Sequence, residues 1–378
     1  MRNRRLAHPE SALRLAMAEA ADRANGDVLT GVCCAPLGGI RNHMLGIQAN
    51  CNRRVSIVPD GTALELLAQH RALQGRLAEV FRNSYGTKRF AAVHSHVEPW
   101  FIEYCAEVAK AGTPWVHTYH LVYFESEWAG GLTAYKKAVN DVLLKVACKA
   151  DVCLSVARWL RDLLQSEYGI ESTYLPNGVD VSVCDKADPV RFQAAHGRGE
   201  FILFAAGIDE RKNPADFVRL ERAIPDNRFI LQGRGVSREA VKQRVGLPIP
   251  SNMDFVGPLP REELLDMIAA CRVFVKTSKS EGLPTVVMEA MALRRPVVGC
   301  NRFGTAEVIG GPHTGFVYQH DSLDDLVEKT LAAWDHPHVG EAARQRILNE
   351  YDWCKVAPRL DAIYDDLLAR KVPVHASE

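Results

Sequence analysis

Short apolar runs alternate with helical patterns along most of the chain. The runs VLTGVCCA (28–35), RRVSIV (53–58), RFAAVHSH (89–96), PWVHTYH (114–120) and DVCLSV (151–156) have the length of strands, and stretches with a 3.6-residue apolar period, such as TAYKKAVNDVLLKVACKA (133–150), separate them. Strands apolar on both faces, each followed by a helix, predict a parallel sheet covered on both sides. Residues 9–24 predict a charged amphipathic helix ahead of the first strand. YLPNGVDVSVCDKADP (174–189) breaks the rhythm with Pro, Asn, Gly and Asp and is read as a linker. A second series follows: FILFAAG (201–207), RFILQGRG (228–235), MDFVG (253–257), RVFVKTS (272–278), RPVVGC (295–300) and GFVY (315–318), with two closing helices at about 340–350 and 355–370. The fold class is α/β, with two doubly wound Rossmann-like domains whose parallel sheets face each other across a central cleft. In such sheets ligands bind beyond the carboxyl ends of the strands, near the point where strand order reverses.

Composition narrows the class. Of 378 residues, 46 are Lys or Arg and 46 are Asp or Glu, so the formal net charge is zero. That balance excludes a chain built to coat nucleic acid or an anionic membrane, both of which need a positive field. Apolar residues at 47% and charged residues at 24% are those of a globular protein. The ten cysteines, Cys33 and Cys34 among them, form no C-x2-C pair and are read as small buried apolar side chains. The opening MRNRR is not followed by the apolar core of about 7–15 residues that a leader needs. No apolar run reaches the ~18 residues of a membrane span, so the expected location is the cytoplasm.

The most informative stretch is SKSEGLPTVVMEAMALRRPVVG (278–299). Glu281 falls in the loop after a strand, Pro284 in the first turn of a helix, and Glu289 just over one turn inside it. The amides near Leu283, Thr285 and Val286, together with the helix dipole, form an anion site. A phosphate there has one glutamate on either side, and carboxylates accept hydrogen bonds from sugar and ribose hydroxyls. The plainer reading makes Glu281 a solvated loop residue and Glu289 a helix-surface one. Against it, Glu289 stands inside VVMEAMAL, where a charge is costly unless partnered.

This stretch resembles glycosyltransferase family 4, retaining enzymes of the GT-B fold. Their signature is two glutamates with seven residues between them, then EAMA-x-G-x-PVV. Glu281 and Glu289 have that spacing, with Arg294 or Arg295 where the family has glycine. The resemblance implies that Glu281 contacts the transferred sugar, Glu289 holds the ribose hydroxyls, and Gly282, Leu283, Pro284 and Thr285 line the donor. It extends over residues 28 to about 360. PLGGIRNHML (36–45) resembles the Gly-Gly loop, with Gly38 and Gly39 approaching diphosphate and acceptor. AAVHSHVEP (91–99) and PWVHTYHL (114–121) resemble its His-x-His and Thr-x-His strand ends, putting His120 beside the reacting sugar and His96 on the acceptor side. RFILQGRG resembles the Gly-x-Gly turn near the base, with Gly233. CNRFGTAEVI (300–309) matches the segment after the catalytic helix, with Glu307 in place, and Trp353 is read as packing.

One departure concerns the donor clamp. AAGIDERKNP (205–214) keeps Lys212 but has Gly207 where the family has an arginine on the diphosphate. Arg211, Arg234 or an arginine of the N-terminal domain could substitute. On the acceptor side, TYHLVYFESEWAGG (118–131) offers Tyr119, Tyr123, Glu125, Glu127 and Trp128, the two glutamates either holding acceptor or facing solvent. The helix with Lys136, Lys137, Lys145 and Lys149 either touches anionic lipid or is a solvated face.

The resemblance implies an N-terminal Rossmann-like domain 1–178 on the acceptor side, with 1–26 a helical extension. A nucleotide-sugar-binding domain 179–352 follows, and a helix at 353–378 crosses back onto the first. The expected reaction is retaining transfer from a UDP- or GDP-sugar to a hydroxyl of a small-molecule, saccharide or lipid-linked acceptor. No D-x-D motif occurs, so neither metal nor other cofactor is expected. No nucleic-acid partner is expected, and membrane contact is peripheral at most. A catalytically silent GT-B binding subunit, a nucleotide-sugar epimerase or a phosphorylase are the alternatives.

Overall fold

Every apolar run read from the sequence contains a strand. The computed structural model describes residues 8–24, 28–31, 38–86, 89–197 and 199–371. Strands β1 (Val28–Gly31), β2 (Val55–Val58), β3 (Ala92–Ser95), β4 (Trp115–Tyr119), β5 (Val152–Ser155) and β6 (Thr173–Tyr174) form one sheet in the order β2-β1-β3-β4-β5-β6. Strands β7 (Phe201–Ala205), β8 (Arg228–Gln232), β9 (Met253–Val256), β10 (Val273–Lys276), β11 (Val297–Cys300) and β12 (Phe316–Tyr318) form the second, in the order β12-β11-β10-β7-β8-β9. All pairings are parallel. β6 was not legible, because two partly exposed residues make no apolar run. The strands stop short of the runs that predicted them, so His96 and His120 fall just past the ends of β3 and β4. Cys33, Cys34, Pro36 and Leu37 lie outside the described residues, as do residues 1–7 and 25–27 of the extension and 372–378 of the closing segment.

The first helix, Pro9–Arg23, buries Leu13, Met17, Ala20 and Ala21 against the helices Gly61–Gln69 and Leu77–Tyr85. The closing helix Trp353–Lys371 covers one face of the first sheet. Trp353, Val356, Leu360, Tyr364 and Leu367 pack there on Val28, Val55, Ala92, Val116 and Leu154. Its Tyr364 hydroxyl is 2.6 Å from His94 Nδ1, and Asp361 accepts from the Asn52 amide. Residues from both halves of the sequence therefore complete one core.

The segment 174–189 is more than a linker. It holds the helix Val181–Cys184, capped by Asp180, and at Val179 it runs parallel to the returning chain at Asp352. The Val179 amide donates to the Tyr351 carbonyl at 2.8 Å, and the Trp353 amide donates to the Val179 carbonyl at 3.1 Å. The two connections between the lobes thus cross side by side. Among the described residues no helix is long and apolar enough to span a membrane.

Strand order reverses between β1 and β3 in the first sheet and between β7 and β10 in the second. The loops after β3, β4, β7 and β10, with Gly38 and the start of the helix Gly39–Asn50, are the ones that gather the site.

Candidate active site

β10 ends at Lys276, and the loop from Thr277 leads to the helix Thr285–Ala292. Pro284 is the cap of that helix, one position earlier than read from the sequence. The amides of Thr285 and Val286 have no carbonyl one turn back and point out of the helix end. The loop is tied to the turn after β7: Thr277 Oγ1 donates to the Asn213 carbonyl at 2.8 Å and the Lys279 amide to the Arg211 carbonyl at 2.8 Å. That turn, Glu210–Lys212, is capped by Asp209 and delivers Lys212.

Lys212 Nζ donates to both oxygens of Glu281 at 2.8 Å. Lys276 Nζ lies 3.0 Å from Glu281 Oε1, and Ser278 Oγ donates to the same oxygen at 2.9 Å. Burial opposes ionisation of Glu281, but the charges of Lys212, Lys276 and Arg211 outweigh it and hold the carboxyl well below its usual range. Burial, aided by repulsion from Arg211 and Lys276, pushes Lys212 down to about 8. The Arg211 Nε is buried with no protein partner. Glu289, also buried, pairs with Arg261 Nη1 at 2.7 Å. Burial raises its pKa and Arg261 opposes the rise.

The first lobe faces this assembly with a turn and three histidines. Gly38, at φ 150, caps the helix Gly39–Asn50, a backbone that L side chains rarely adopt. A Cβ on Gly39 would lie 3.7 Å from Thr285 Oγ1, so the Gly-Gly turn stands against the start of the helix across the cleft. His96 Nδ1 is 3.0 Å from His120 Nε2, and the His43 ring packs edge-on to both. Burial lowers the pKa of all three, His43 to about 3, so they are neutral imidazoles. Their ring nitrogens lie within 4.8 Å of one another, the one group among the described residues able to hold a metal ion.

The lobes touch at the loop itself. A Cβ on Gly282 would lie 1.8 Å from the His120 carbonyl oxygen, so only glycine permits this approach. Trp159 Nε1 donates to the Gly282 carbonyl and Asn177 Nδ2 to the Leu283 carbonyl, each at 2.8 Å. Glu307 accepts from the amides of Arg158 and Trp159, at 2.9 and 3.2 Å, capping the helix Arg158–Tyr168 of the opposite lobe. Phe303, at φ 54, stacks on Phe124 with ring centroids 5.7 Å apart.

Several sequence-based assignments need correction. Tyr119 points away from the cleft: it is fully buried, and its hydroxyl donates to the Leu143 carbonyl at 3.0 Å, because the β pleat turns successive side chains to opposite faces. Glu125 is exposed and staples its own loop, accepting from the Leu132 amide and pairing with Lys137 at 3.1 Å. Glu127 takes the cleft position instead. It is 5% exposed, and its pKa is raised by burial against the opposing effects of Ser280 and Arg211. Tyr123 lies within electrostatic reach of Arg211. Gly233 is required by protein packing, since a Cβ there would meet the Ala206 carbonyl at 1.9 Å. Arg234 is exposed. On the lysine helix, Lys137 and Lys145 pair with Glu125 and Asp141, and Lys136 sits 3.1 Å from the Trp128 ring centroid, as on a solvated face. Trp353 packs against Gly46, Gly178 and His43.

Sequence reasoning missed Lys276, Arg261 and His43. Lys276 had a signal: it is the one charge inside the strand run VFVKTS. Arg261 and His43 had none without the fold.

A family model described as Glycosyltransferase Family 4 matches residues 17–183, and one described as Glycosyl transferases group 1 matches 187–350. The chain is 25% identical over 244 residues to a GDP-mannose-dependent monoacylated alpha-(1-6)-phosphatidylinositol monomannoside mannosyltransferase of Corynebacterium glutamicum, covering 58% of this chain and 64% of that protein. It is 26% identical over 262 residues to the putative teichuronic acid biosynthesis glycosyltransferase TuaC of Bacillus subtilis, covering 64% and 61%. The match thus spans less than two thirds of either relative. Among solved structures, HepE of Anabaena in complex with UDP and glucose superposes with a TM-score of 0.71 at 16% identity, covering 90% of this chain and 99% of that one. The two matched halves, two parallel six-stranded sheets and a site at both switch points agree: the chain belongs to glycosyltransferase family 4 and has the GT-B fold.

Proposed function

We propose that this chain is a retaining glycosyltransferase that moves a sugar from a UDP- or GDP-sugar to an acceptor hydroxyl, without a metal and in the cytoplasm. The observation that carries the reading is the opposition, across one cleft, of the Glu281–Lys212–Lys276 cluster and the Thr285 helix end to the Gly38–Gly39 turn and His120. As the bond to the sugar breaks, negative charge gathers on the leaving diphosphate. Fixed amides at Thr285 and Val286 and a nearby ammonium stabilise that charge more than they stabilise the ground state. Glu281 orients the sugar, Glu289 takes the ribose hydroxyls while Arg261 opposes the rise that burial gives its pKa, and neutral His120 lines the sugar's other edge. Residues 1–178 carry the acceptor side, with His96, Tyr123 and Glu127, and 179–352 the donor side. Relatives bearing the names of GDP-mannose- and UDP-Gal-dependent transferases support a nucleotide-sugar donor and a saccharide or lipid-linked acceptor.

A thermal-shift panel with UDP, GDP, ADP, dTDP and CDP, each with and without EDTA, tests the reading. One nucleotide raises the unfolding midpoint, EDTA leaves the rise unchanged, and Glu289→Ala abolishes it. At a hundred times the dissociation constant the stabilisation is about 2.7 kcal/mol. No shift with any nucleotide would favour the silent subunit that Gly207 suggests. A rise that EDTA removes would overturn metal independence, with His43, His96 and His120 as the ligands to substitute next.

A further inference from the structure

β10 is buried along its whole length, yet its last residue is a lysine. The Lys276 side chain is 3% exposed, its ammonium 5.8 Å from the Phe204 ring centroid and 3.0 Å from Glu281 Oε1. An ammonium so placed is costly to desolvate unless an anion holds it, and among the described residues the anion it pairs with is Glu281. That carboxylate already has Lys212 on both oxygens, Ser278 on one, and the Arg211 guanidinium close by. Glu127 lies across the cleft near Ser280 and Arg211, and Asp209 acts on Arg211 and Lys212 from the turn after β7.

The two lysines differ in access. Lys212 is 17% exposed at the cleft, while Lys276 is anchored in the strand. If Lys212 turns its two bonds from Glu281 to a donor diphosphate, that carboxylate, only 9% exposed, needs another cation. We propose that Lys276 is the resident counter-ion of Glu281, which frees Lys212, the clamp cation kept beside the arginine missing at Gly207, for the donor diphosphate. Lys276 is a positioning residue: it touches no substrate and acts through Glu281 and Lys212. The inference rests on the glycosyltransferase reading above.

Calorimetric titration of UDP and GDP, with UMP and GMP as controls, tests it on wild type, Lys276→Met, Lys276→Arg, Glu281→Gln and the double variant Lys276→Met/Glu281→Gln. Lys276→Met leaves Lys212 locked on Glu281 and weakens the diphosphate about tenfold relative to the monophosphate, the size of one charged contact. Lys276→Arg retains affinity. In the double variant the neutral amide no longer holds Lys212, and diphosphate affinity returns to that of Glu281→Gln alone. A merely structural lysine gives no such recovery. Unchanged affinity in Lys276→Met, or losses that add in the double variant, overturns the inference and leaves the enzyme assignment standing. Binding of neither UDP nor GDP to wild type, with ADP, dTDP and CDP also silent, overturns both.

Discussion

Of the two arginines at the place where the family signature has glycine, Arg294 has a φ of 60, the conformation that favours glycine. An L side chain in the left-handed region is strained, whereas glycine adopts it freely. The Arg294 ion pair with Glu341 is half exposed and contributes little against that strain. Arg294→Gly should therefore stabilise the chain by about 0.5 kcal/mol, after the extra freedom glycine gives the unfolded state is subtracted. Urea unfolding checks this: a raised midpoint at unchanged slope is expected. At Lys212 the question is protonation. With its pKa pushed down to about 8, the folded chain holds fewer protons than the unfolded one between about 8 and the ordinary 10.5, so this group makes stability rise with pH across that window. Diphosphate binding has the opposite trend, because it needs the ammonium. Affinity for the nucleoside diphosphate should fall as pH rises through about 8, and binding near that pH should take up a proton. Calorimetry in buffers of different ionisation heat reads that uptake directly.

At the scale of elements, most of the site hangs on loops that close against a partner from the other lobe. Glu307 lies on the helix Phe303–Ile309 but caps Arg158–Tyr168, whose own cap residue, Ala157, offers no side-chain acceptor. A helix cap contributes about 1 kcal/mol, here to closure of the lobes and not to either lobe alone. Glu307→Ala should leave each lobe folded, enlarge the radius of gyration in small-angle scattering without nucleotide, and raise the donor KM several-fold. An unchanged radius and KM would make the cap incidental. The same elements show what a sequence can and cannot reveal. The grouping of Glu281, Gly282 and Glu289 was legible because a fixed spacing on one strand–loop–helix unit places them. Tyr119 was misplaced because the pleat at the end of β4 turns it to the face opposite His120, and Glu125 because the short turn Glu125–Glu127 sends its two glutamates in different directions. Arg261 was invisible, since it comes from a helix joined to Glu289 only by packing.

At the scale of the molecule, the parallel sheets followed from apolar runs whose both faces are covered, a pattern that survives without any motif. The pairing of Val179 with Asp352 had no such signal, because single-residue bridges between distant segments carry no periodicity. Nor did periodicity show which core the last helix completes. That helix has a consequence in time. During synthesis the strands β1 to β5 emerge long before residues 353–371, so one face of their sheet waits bare while the entire second lobe is made. The half-built lobe offers Val28, Val55, Ala92, Val116 and Leu154 to whatever is nearby, a surface prone to aggregate or to recruit a chaperone. The part of the chain made first is thus among the last to become a finished protein.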